Sequence, residues 1–198
     1  MIIIKHRVNN SKVLSKLSKI YGVEIDLRSN DEKEIYLSHN PFQKGEKLEN
    51  WLKKFNHKII VLNVKEEGLE NRILKIMQKR KVTNFFFHDQ TFSTMLKTSK
   101  FTNVSLRLSE YEHVKKLDFL LKKIKWVWVD HFTKLELSKK HYKIIKKNGA
   151  KICLVSPELV CKKNYKQKIK KLKKTIKKNK YMIDAICTKN SKIWLNEQ

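Results

Sequence analysis

The sequence is poor in glycine, proline and cysteine. Its 198 residues include four glycines, two prolines and three cysteines. The first turn lacks the glycine-rich phosphate loop that would support a doubly wound nucleotide-binding sheet. Cys153, Cys161 and Cys187 are odd in number and lack a C-x-x-C spacing. We therefore expect neither a disulfide framework nor a zinc site.

Long apolar runs are also missing. No run approaches the ~20 residues that cross a bilayer. The segment Met1–His6 is too short for the apolar core of a signal peptide and leads directly into a polar segment. The sequence therefore predicts no transmembrane segment and a cytoplasmic location. Because 40% of the residues are hydrophobic, we expect one globular domain spanning residues 1–198.

Acidic residues are scarce beside basic ones. The chain has 46 Lys and Arg against 19 Asp and Glu, a formal net charge of +27. Such a charge attracts nucleic acid, anionic lipid or phosphorylated substrates. Compositional drift is the alternative, because lysine is spread over the whole chain. The arginine–aromatic interleaving of nucleic-acid sites is missing. We expect no dedicated nucleic-acid site, and at most weak association with anionic surfaces.

What the chain does contain is an alternation of short apolar runs with longer amphipathic stretches. Eight strands, each feeding a crossover, predict a compact (β/α)8 TIM barrel of class α/β, with a doubly wound open sheet as the alternative. The predicted strands are Ile2–Val8, Val23–Arg28, Lys58–Val64, Asn84–His88, Val104–Leu108, Trp126–Val129, Lys151–Val155 and Asp184–Thr188. The predicted helices are Ser11–Tyr21, Lys47–Phe55, Leu69–Lys79, Thr91–Lys97, His113–Lys123, Ser138–Lys147 and Tyr165–Lys178.

The second predicted strand carries two carboxylates at alternate positions, Glu24 and Asp26. Alternate side chains of a strand leave on the same face. A buried carboxylate pair is costly unless a positive group lies near it, and a divalent cation is one candidate. The alternative is that both face solvent on an edge strand. His6 follows the preceding strand and His39 comes after this one, which favours a functional site.

These residues resemble a known family. The matching positions are His6-Arg7 after the first strand, Glu24-x-Asp26 in the second, His39 about a dozen residues later, and the last-strand segment Ile183–Asn190. In this order they are similar to the glycerophosphodiester phosphodiesterases, within the phosphatidylinositol-phospholipase-C-like superfamily of barrels.

The resemblance implies a division of roles. His6 and His39 would be the general acid and base, which imidazole suits because its ordinary pKa of ~6.5 lies near working pH. Glu24 and Asp26 would bind a divalent cation, Mg²⁺ or Ca²⁺. The expected activity is that of a phosphoric diester hydrolase acting on a small phosphodiester, in lipid metabolism.

Two basic residues complete the expected site. The resemblance implies that Arg7 and Lys65 contact the phosphate. Independently of the family, such cations would stabilise the charge that develops in the transition state. The nucleophile would be water or a neighbouring hydroxyl of the substrate.

The sequence departs from the family at several of these positions. Val8 stands where the family has glycine, and Asn9-Asn10 stands near a missing Glu-Asn-Thr. Asn40 replaces an aspartate after the second histidine. Asn63 replaces the third metal carboxylate. These departures favour one alternative, a non-catalytic barrel that binds a phosphorylated ligand. The positive charge favours another, a nucleic-acid-binding protein or nuclease.

Other polar residues follow the later strands. We predict that Glu110 supplies the carboxylate missing at position 63, and we keep Asp130 and Glu158 as further candidates. Three more predictions concern structure. His57, His113 and His141 are expected at the surface, and Trp126 and Trp128 in the core. The lysine run Lys162–Lys180 is expected to be a solvated helix face, with docking to an anionic membrane or nucleic acid as its alternative.

Overall fold

The fold is seen in a computed structural model that describes residues 1–30, 34–112, 114, 116–161 and 163–195. Strands and helices alternate, and all eight predicted strands are present within a residue or two of their predicted limits, except the first, which ends at Lys5. The chain divides into two units. The amino-terminal unit is Ile4–Val104, and the carboxy-terminal unit is Met1–Ile3 with Ser105–Gln198.

The amino-terminal unit holds the strands that carry most of the predicted site. The first two residues of strand β1, Ile2 and Ile3, belong to the carboxy-terminal unit, and the rest of the strand belongs to the amino-terminal unit. The elements are β1 (Ile2–Lys5), α1 (Ser11–Ser15), β2 (Gly22–Ser29), β3 (Ile35–Leu37), β4 (Glu46–Lys47), α2 (Leu48–Leu52), β5 (Ile60–Val64), α3 (Glu70–Lys79), β6 (Phe85–His88) and α4 (Phe92–Thr98).

Parallel pairing joins β1 to β2, β2 to β5 and β5 to β6. Strand β5 is buried along its whole length, as expected for a parallel strand covered on both faces. In the β2–β5 register, Asp26 lies opposite Asn63. This register places the acidic pair of β2 next to the end of β5.

An antiparallel excursion follows β2. Strand β3 pairs with β2 and then with the two-residue strand β4. The sequence does not predict β4, and the predicted helix Lys47–Phe55 starts at the second residue of this strand. Gly45 permits this pairing, because a Cβ atom there would lie 1.8 Å from the carbonyl oxygen of Leu37. No other residue could bring β4 so close to β3.

Helix α1 is shorter than predicted. Asn10 caps its first turn, and the helix ends at Ser15 rather than Tyr21. Within it only Leu14 is buried, whereas Val13 is 52% exposed. A short helix with little buried apolar surface gains too little from packing to propagate further.

The prediction that His57 lies at the surface is wrong. Its ring is tilted against that of Phe55 with the centroids 5.8 Å apart, its Nε2 lies 3.3 Å from the carbonyl oxygen of Leu17, and it is buried. Burial lowers the pKa of His57. His141 is half-buried, with Nδ1 2.9 Å from the carbonyl oxygen of Glu136. His113 lies outside the described residues.

The carboxy-terminal unit continues the alternation. Its four strands pair in parallel in chain order, and Ile2 donates its N–H to the carbonyl oxygen of Asp184 at 2.7 Å. Trp126 and Trp128 are buried, as predicted. The elements are β7 (Ser105–Leu108), α5 (Leu117–Leu121), β8 (Trp126–Val129), α6 (Lys139–Lys147), β9 (Lys151–Val155), α7 (Pro157–Val160), α8 (Tyr165–Asn179), β10 (Ala185–Thr188) and α9 (Ser191–Leu195).

The short helices α7 and α9 are not predicted from the sequence. Helix α7 has proline at its first position, and α9 carries Trp194 to a buried position. Helix α5 is shorter than predicted and begins at Leu117. Across the described part of the chain, no helix combines the length and the apolar character needed to cross a bilayer.

Candidate functional site

The candidate site lies at the carboxyl ends of β1, β2 and β5, inside the amino-terminal unit. Glu24 and Asp26 are both fully buried. The alternative that they face solvent on an edge strand is therefore wrong. The pairing of β2 with β1 on one side and β5 on the other causes this burial.

Glu24 is held by groups from both neighbouring strands. Its Oε2 accepts the backbone N–H of Arg7 at 2.7 Å, and its Oε1 accepts the side-chain N–H of Asn63 at 2.9 Å. The Nε2 atom of His6 lies 3.9 Å from Oε2. Burial, together with the nearby charge of Asp26, raises the pKa of Glu24 to about 7 in spite of these hydrogen bonds. Glu24 is therefore an electrostatically costly carboxylate.

The turn after β1 has an unusual backbone. Arg7 has φ of 55°, in the left-handed region that side chains other than glycine rarely adopt. This conformation directs its N–H at Glu24. The next residue, Val8, donates its N–H to the carbonyl oxygen of Glu24 at 2.8 Å and accepts the indole N–H of Trp51 at 2.9 Å. Val8 is buried, so the position where the family has glycine is part of the core here.

Asp26 is surrounded by donors and cations. Asn9 makes two hydrogen bonds to it, from Nδ2 to Oδ2 at 2.8 Å and from the Asp26 N–H to Asn9 Oδ1 at 2.9 Å. Arg7 Nε lies 3.8 Å from Oδ2, and Lys65 Nζ lies 3.4 Å from Oδ1. Within the described residues, Asp26 Oδ1 accepts no aligned hydrogen bond. The contact of this oxygen with Lys65 is therefore an ion pair without an aligned hydrogen bond.

The predicted second histidine joins the same cluster. His39 Nε2 contacts the Arg7 guanidinium at hydrogen-bond range. Its Nδ1 lies 2.8 Å from Asn40 Oδ1, which can only accept, so Nδ1 carries the proton. Nε2 is then the acceptor in its contact with the Arg7 guanidinium. Arg28 fixes the backbone beneath, donating from Nε and Nη2 to the carbonyl oxygen of His39 at 3.3 and 3.2 Å.

Lys65 links the acidic pair to the next strand end. Its Nζ lies 3.0 Å from Asp89 Oδ2 in addition to its contact with Asp26. Asp89 follows β6 and also has a positive φ, of 66°. The amine therefore lies between two carboxylates and is mostly buried, with 15% of its side chain exposed.

The oxygen donors here fit a hard divalent cation. Glu24, Asp26 and Asn63 offer carboxylate and amide oxygens, the ligands that Mg²⁺ and Ca²⁺ prefer. Asp26 Oδ1 and Asn63 Oδ1 are both buried and accept no aligned hydrogen bond among the described residues, although Lys65 Nζ lies 3.4 Å from Asp26 Oδ1. In the same described part of the chain, no group of three or more His, Cys, Asp or Glu side chains is arranged around a metal position. The fit therefore depends on two carboxylates and an amide.

Three residues of the site escape sequence reasoning or receive no role from it. Asn9 binds Asp26, Asn40 orients His39, and Asp89 pairs with Lys65. Asn40 and Asp89 directly follow a histidine, and this adjacency is a signal that could have identified them. Nothing in the sequence indicates that Asn9 reaches Asp26, which is 17 positions away.

The remaining predicted residues lie in the carboxy-terminal unit, where local groups bind their carboxylates. Glu110 accepts N–H groups from Phe132 and Lys134 at 3.2 Å and the hydroxyl of Thr133 at 2.9 Å. Burial would raise the pKa of Glu110, but the hydrogen bonds, chiefly from Thr133, outweigh it and lower the pKa to about 2. The predicted metal-binding role of Glu110 stays a prediction.

Asp130 and Glu158 are bound in a similar way. Asp130 lies 3.1 Å from Arg107 Nε. Glu158 accepts the hydroxyls of Ser156 and Thr188 and, at 3.1 Å, the backbone N–H of Lys189. These contacts tie the ends of β9 and β10 together. Both residues remain site candidates.

Solved structures similar to this one share its architecture over nearly the whole chain. A glycerophosphodiester phosphodiesterase from Thermotoga maritima is 16% identical, with a TM-score of 0.72 over 100% of this chain and 98% of that one. The chain has the glycerophosphodiester phosphodiesterase fold. The predicted α/β barrel class is therefore confirmed, and the doubly wound alternative is wrong.

Two further structures agree. A glycerophosphodiester phosphodiesterase from Agrobacterium tumefaciens is 9% identical, with a TM-score of 0.67 over 98% of this chain and 97% of that one. A glycerophosphoryl diester phosphodiesterase from Parabacteroides distasonis is 11% identical, with a TM-score of 0.63 over 96% and 82%. No family model and no curated protein matches the chain. At these identities, the similarity is one of fold.

Proposed function

We propose that this chain is a metal-dependent phosphoric diester hydrolase that acts on small phosphodiesters such as glycerophosphodiesters. One observation supports the proposal above the others. His6, Arg7 and Lys65 contact the buried Glu24–Asp26 pair, and His39 contacts Arg7. All of these contacts lie within one unit, at the carboxyl ends of its strands. In barrel enzymes this is the end at which active sites form. The shared fold agrees with the same activity.

In this proposal the histidines move the protons. His39 is the general base, because Asn40 holds its proton on Nδ1 and Nε2 can accept one when Arg7 turns from Nε2 to the phosphate. It takes the proton of the attacking water or substrate hydroxyl. His6 is the general acid and gives a proton to the leaving alkoxide, so that no alkoxide is released. Positioned acid–base catalysis of this kind contributes about 10²–10⁴-fold to a rate.

Arg7 and Lys65 bind the phosphate. Both lie next to Asp26 already, and 40% of the Arg7 side chain is exposed, so its guanidinium can reach a ligand. Contact with the phosphate would exchange a carboxylate partner for the substrate's anionic oxygens. Cations fixed in a partly buried site stabilise developing charge better than water does.

Glu24 and Asp26 would hold the divalent cation, Mg²⁺ or Ca²⁺. When bound, such a cation supplies Lewis-acid neutralisation of a non-bridging phosphate oxygen. The raised pKa of Glu24 supports this assignment, because a buried acidic pair with insufficient positive charge nearby is stabilised by a cation.

The test is hydrolysis of bis(p-nitrophenyl) phosphate and a panel of glycerophosphodiesters with Mg²⁺, Ca²⁺ or EDTA. We expect metal-dependent turnover that His6→Ala and His39→Ala each reduce by about 10²–10⁴-fold. His141→Ala is the matched control, since this histidine lies in the other unit and contacts a backbone carbonyl. Turnover that survives both site variants would refute the proposal.

A second candidate function rests on Asn63. With an amide where the family has a carboxylate, the site could bind a phosphorylated ligand without turning it over. The same panel separates the two candidates. Calorimetric binding of a glycerophosphodiester without hydrolysis, at every metal tried, would favour the binding protein over the enzyme.

A further inference from the structure

A groove in the carboxy-terminal unit combines an apolar floor with a basic rim. It measures about 610 Å³ and lies along helix α8. Its floor is formed by Ile176, Ile183, Ile186 and Trp194, which come from α8, the segment before β10, β10 and α9. The lysines that line the groove are Lys170, Lys173, Lys174 and Lys177. Together they form what we call the α8 groove.

The lysines share one face because of their spacing. Positions separated by three, four and seven residues lie on the same side of an α-helix. Helix α8 contains eight lysines and no acidic residue in its fifteen positions. Lys170, Lys174 and Lys177 are exposed, and no carboxylate of the described residues lies within 4.0 Å of their Nζ atoms. Like charges at this spacing repel one another, so an anionic partner would stabilise the face.

Lys173 has a different part in the groove. Its Nζ lies 5.3 Å from the centre of the Trp194 ring and donates to the carbonyl oxygen of Ile193. The Trp194 indole N–H donates to Ser156 Oγ at 2.8 Å, so the ring is buried and fixed. Lys173 therefore holds α8 against α9, and the other three lysines are the ones that would contact a ligand.

Exposed apolar side chains adjoin the floor residues in the sequence. Met182 precedes Ile183 and is 75% exposed, and Leu195 follows Trp194 and is 43% exposed. A basic helix face beside exposed apolar side chains is the pattern of a surface that lies on an anionic bilayer. Nucleic-acid sites instead use arginine and exposed aromatic rings. Helix α8 has no arginine, and its aromatic neighbour Trp194 is covered.

We propose that the α8 groove docks this protein on the surface of an anionic phospholipid bilayer. Lys170, Lys174 and Lys177 contact the charged headgroups, while Met182 and Leu195 enter the interfacial layer. This docking does not depend on the proposed hydrolase activity.

Vesicle co-sedimentation tests the proposal. We expect the full chain to bind phosphatidylcholine vesicles containing about 30 mol% phosphatidylserine and to ignore pure phosphatidylcholine, with binding lost at about 0.5 M NaCl. A lysine near such a surface contributes about fivefold to binding, so K170Q/K174Q/K177Q should weaken it by about 100-fold. The control K53Q/K75Q/K79Q removes the same charge from exposed lysines of the other unit. Equal losses in the two triple variants would show diffuse attraction and overturn the proposal.

A second measurement reports on insertion rather than charge. Brominated acyl chains should quench part of the tryptophan fluorescence, and Trp194→Phe should remove that part. Met182→Asp, at an exposed position, should weaken binding at least fivefold without affecting folding. Unchanged vesicle binding by both K170Q/K174Q/K177Q and Met182→Asp would refute the docking proposal. RNA binding is measured on the same variants. If K170Q/K174Q/K177Q loses RNA binding but keeps vesicle binding, the partner is a nucleic acid and the docking proposal is refuted.

Discussion

The strand ends of the two units carry similar residues in opposite electrostatic states. In the amino-terminal unit, Glu24 is buried beside a second carboxylate and has a pKa raised to about 7. In the carboxy-terminal unit, Glu110 follows a strand in the same way but has a pKa lowered to about 2. Among the described residues, Glu24 accepts one backbone N–H and one amide N–H, whereas Glu110 accepts three backbone N–H groups and a hydroxyl.

The difference comes from what surrounds each carboxylate. Glu110 is partly exposed and organises the loop 132–134, whose N–H and hydroxyl groups bind its charge. Glu24 has no access to water and must share Lys65 with Asp26. A carboxylate whose charge is bound by local hydrogen-bond donors supports a loop. A buried carboxylate whose negative charge is not balanced by nearby cations is suited to bind a metal cation.

The largest expected effect is on catalysis. Asp26→Asn should lower kcat/KM for bis(p-nitrophenyl) phosphate by about 10²–10³-fold, because it removes a charge that the proposed cation needs. Asp118→Asn, at an exposed position of α5 in the other unit, should change kcat/KM less than threefold, on the order of surface effects. Steady-state kinetics at saturating metal measures both. A larger loss in Asp118→Asn than in Asp26→Asn would reverse the comparison.

The second effect is on stability and has a pH signature. The folded-state pKa of Glu24, about 7, lies above its ordinary value of 4.5. Ionisation therefore destabilises the fold: the cost is absent below pH 4.5, grows as pH rises and is complete above pH 7. In EDTA, Glu24→Gln should be more stable than the wild type by roughly 3 kcal/mol at about pH 8.

Urea unfolding across the pH range measures this difference. Wild-type stability should fall between pH 4.5 and 7 more steeply than that of Glu24→Gln. The Asn63 amide can turn its open oxygen toward the new Gln N–H, which keeps the variant hydrogen-bonded. A Gln variant less stable than the wild type at about pH 8 would mean that Glu24 is not a costly group.

The third effect is stabilisation by metal. Mg²⁺ or Ca²⁺ at 100 times its Kd should stabilise the wild type by about 2.7 kcal/mol, because only the folded chain presents the paired carboxylates. Thermal unfolding with and without EDTA measures the shift. Asp26→Asn should lose most of it, and Glu110→Gln should keep it. Loss in Glu110→Gln instead would make Glu110 the missing ligand predicted from the sequence.

The smallest effect has the opposite sign to that of Glu24. Because the folded-state pKa of Glu110 is about 2, its stabilisation is present above its ordinary value of 4.5 and is lost as pH falls to 2. Glu110→Gln should cost about 1 kcal/mol or less at neutral pH, since solvent screens this partly exposed group. The difference from the wild type should vanish near pH 2 in urea titrations. A stabilised variant would contradict the assignment.

The main residues predicted for the site lie together because they are tied to strand ends. Apolar alternation locates β1, β2 and β5, and the polar residues after them, His6, Arg7 and Lys65, meet at one edge as expected. The sequence predicts neither the contact of Asn9 with Asp26 nor strand β4, because long-range contacts decide both. Gly45 permits β4 only because Leu37 lies against it. Helix α1 also ends at Ser15, earlier than its apolar periodicity predicts, because it buries little surface.

The sequence by itself determined the order of eight strands, the spacing of Glu24-x-Asp26 and the lysine face of α8, since these depend on local periodicity. Only the tertiary structure decided that the acidic pair is buried. Burial required β5 to pair beside β2, which brings Asn63 to Glu24 from 39 positions away. A carboxylate's pKa depends on water and on charges within a few ångströms, and neither is defined until distant segments pack.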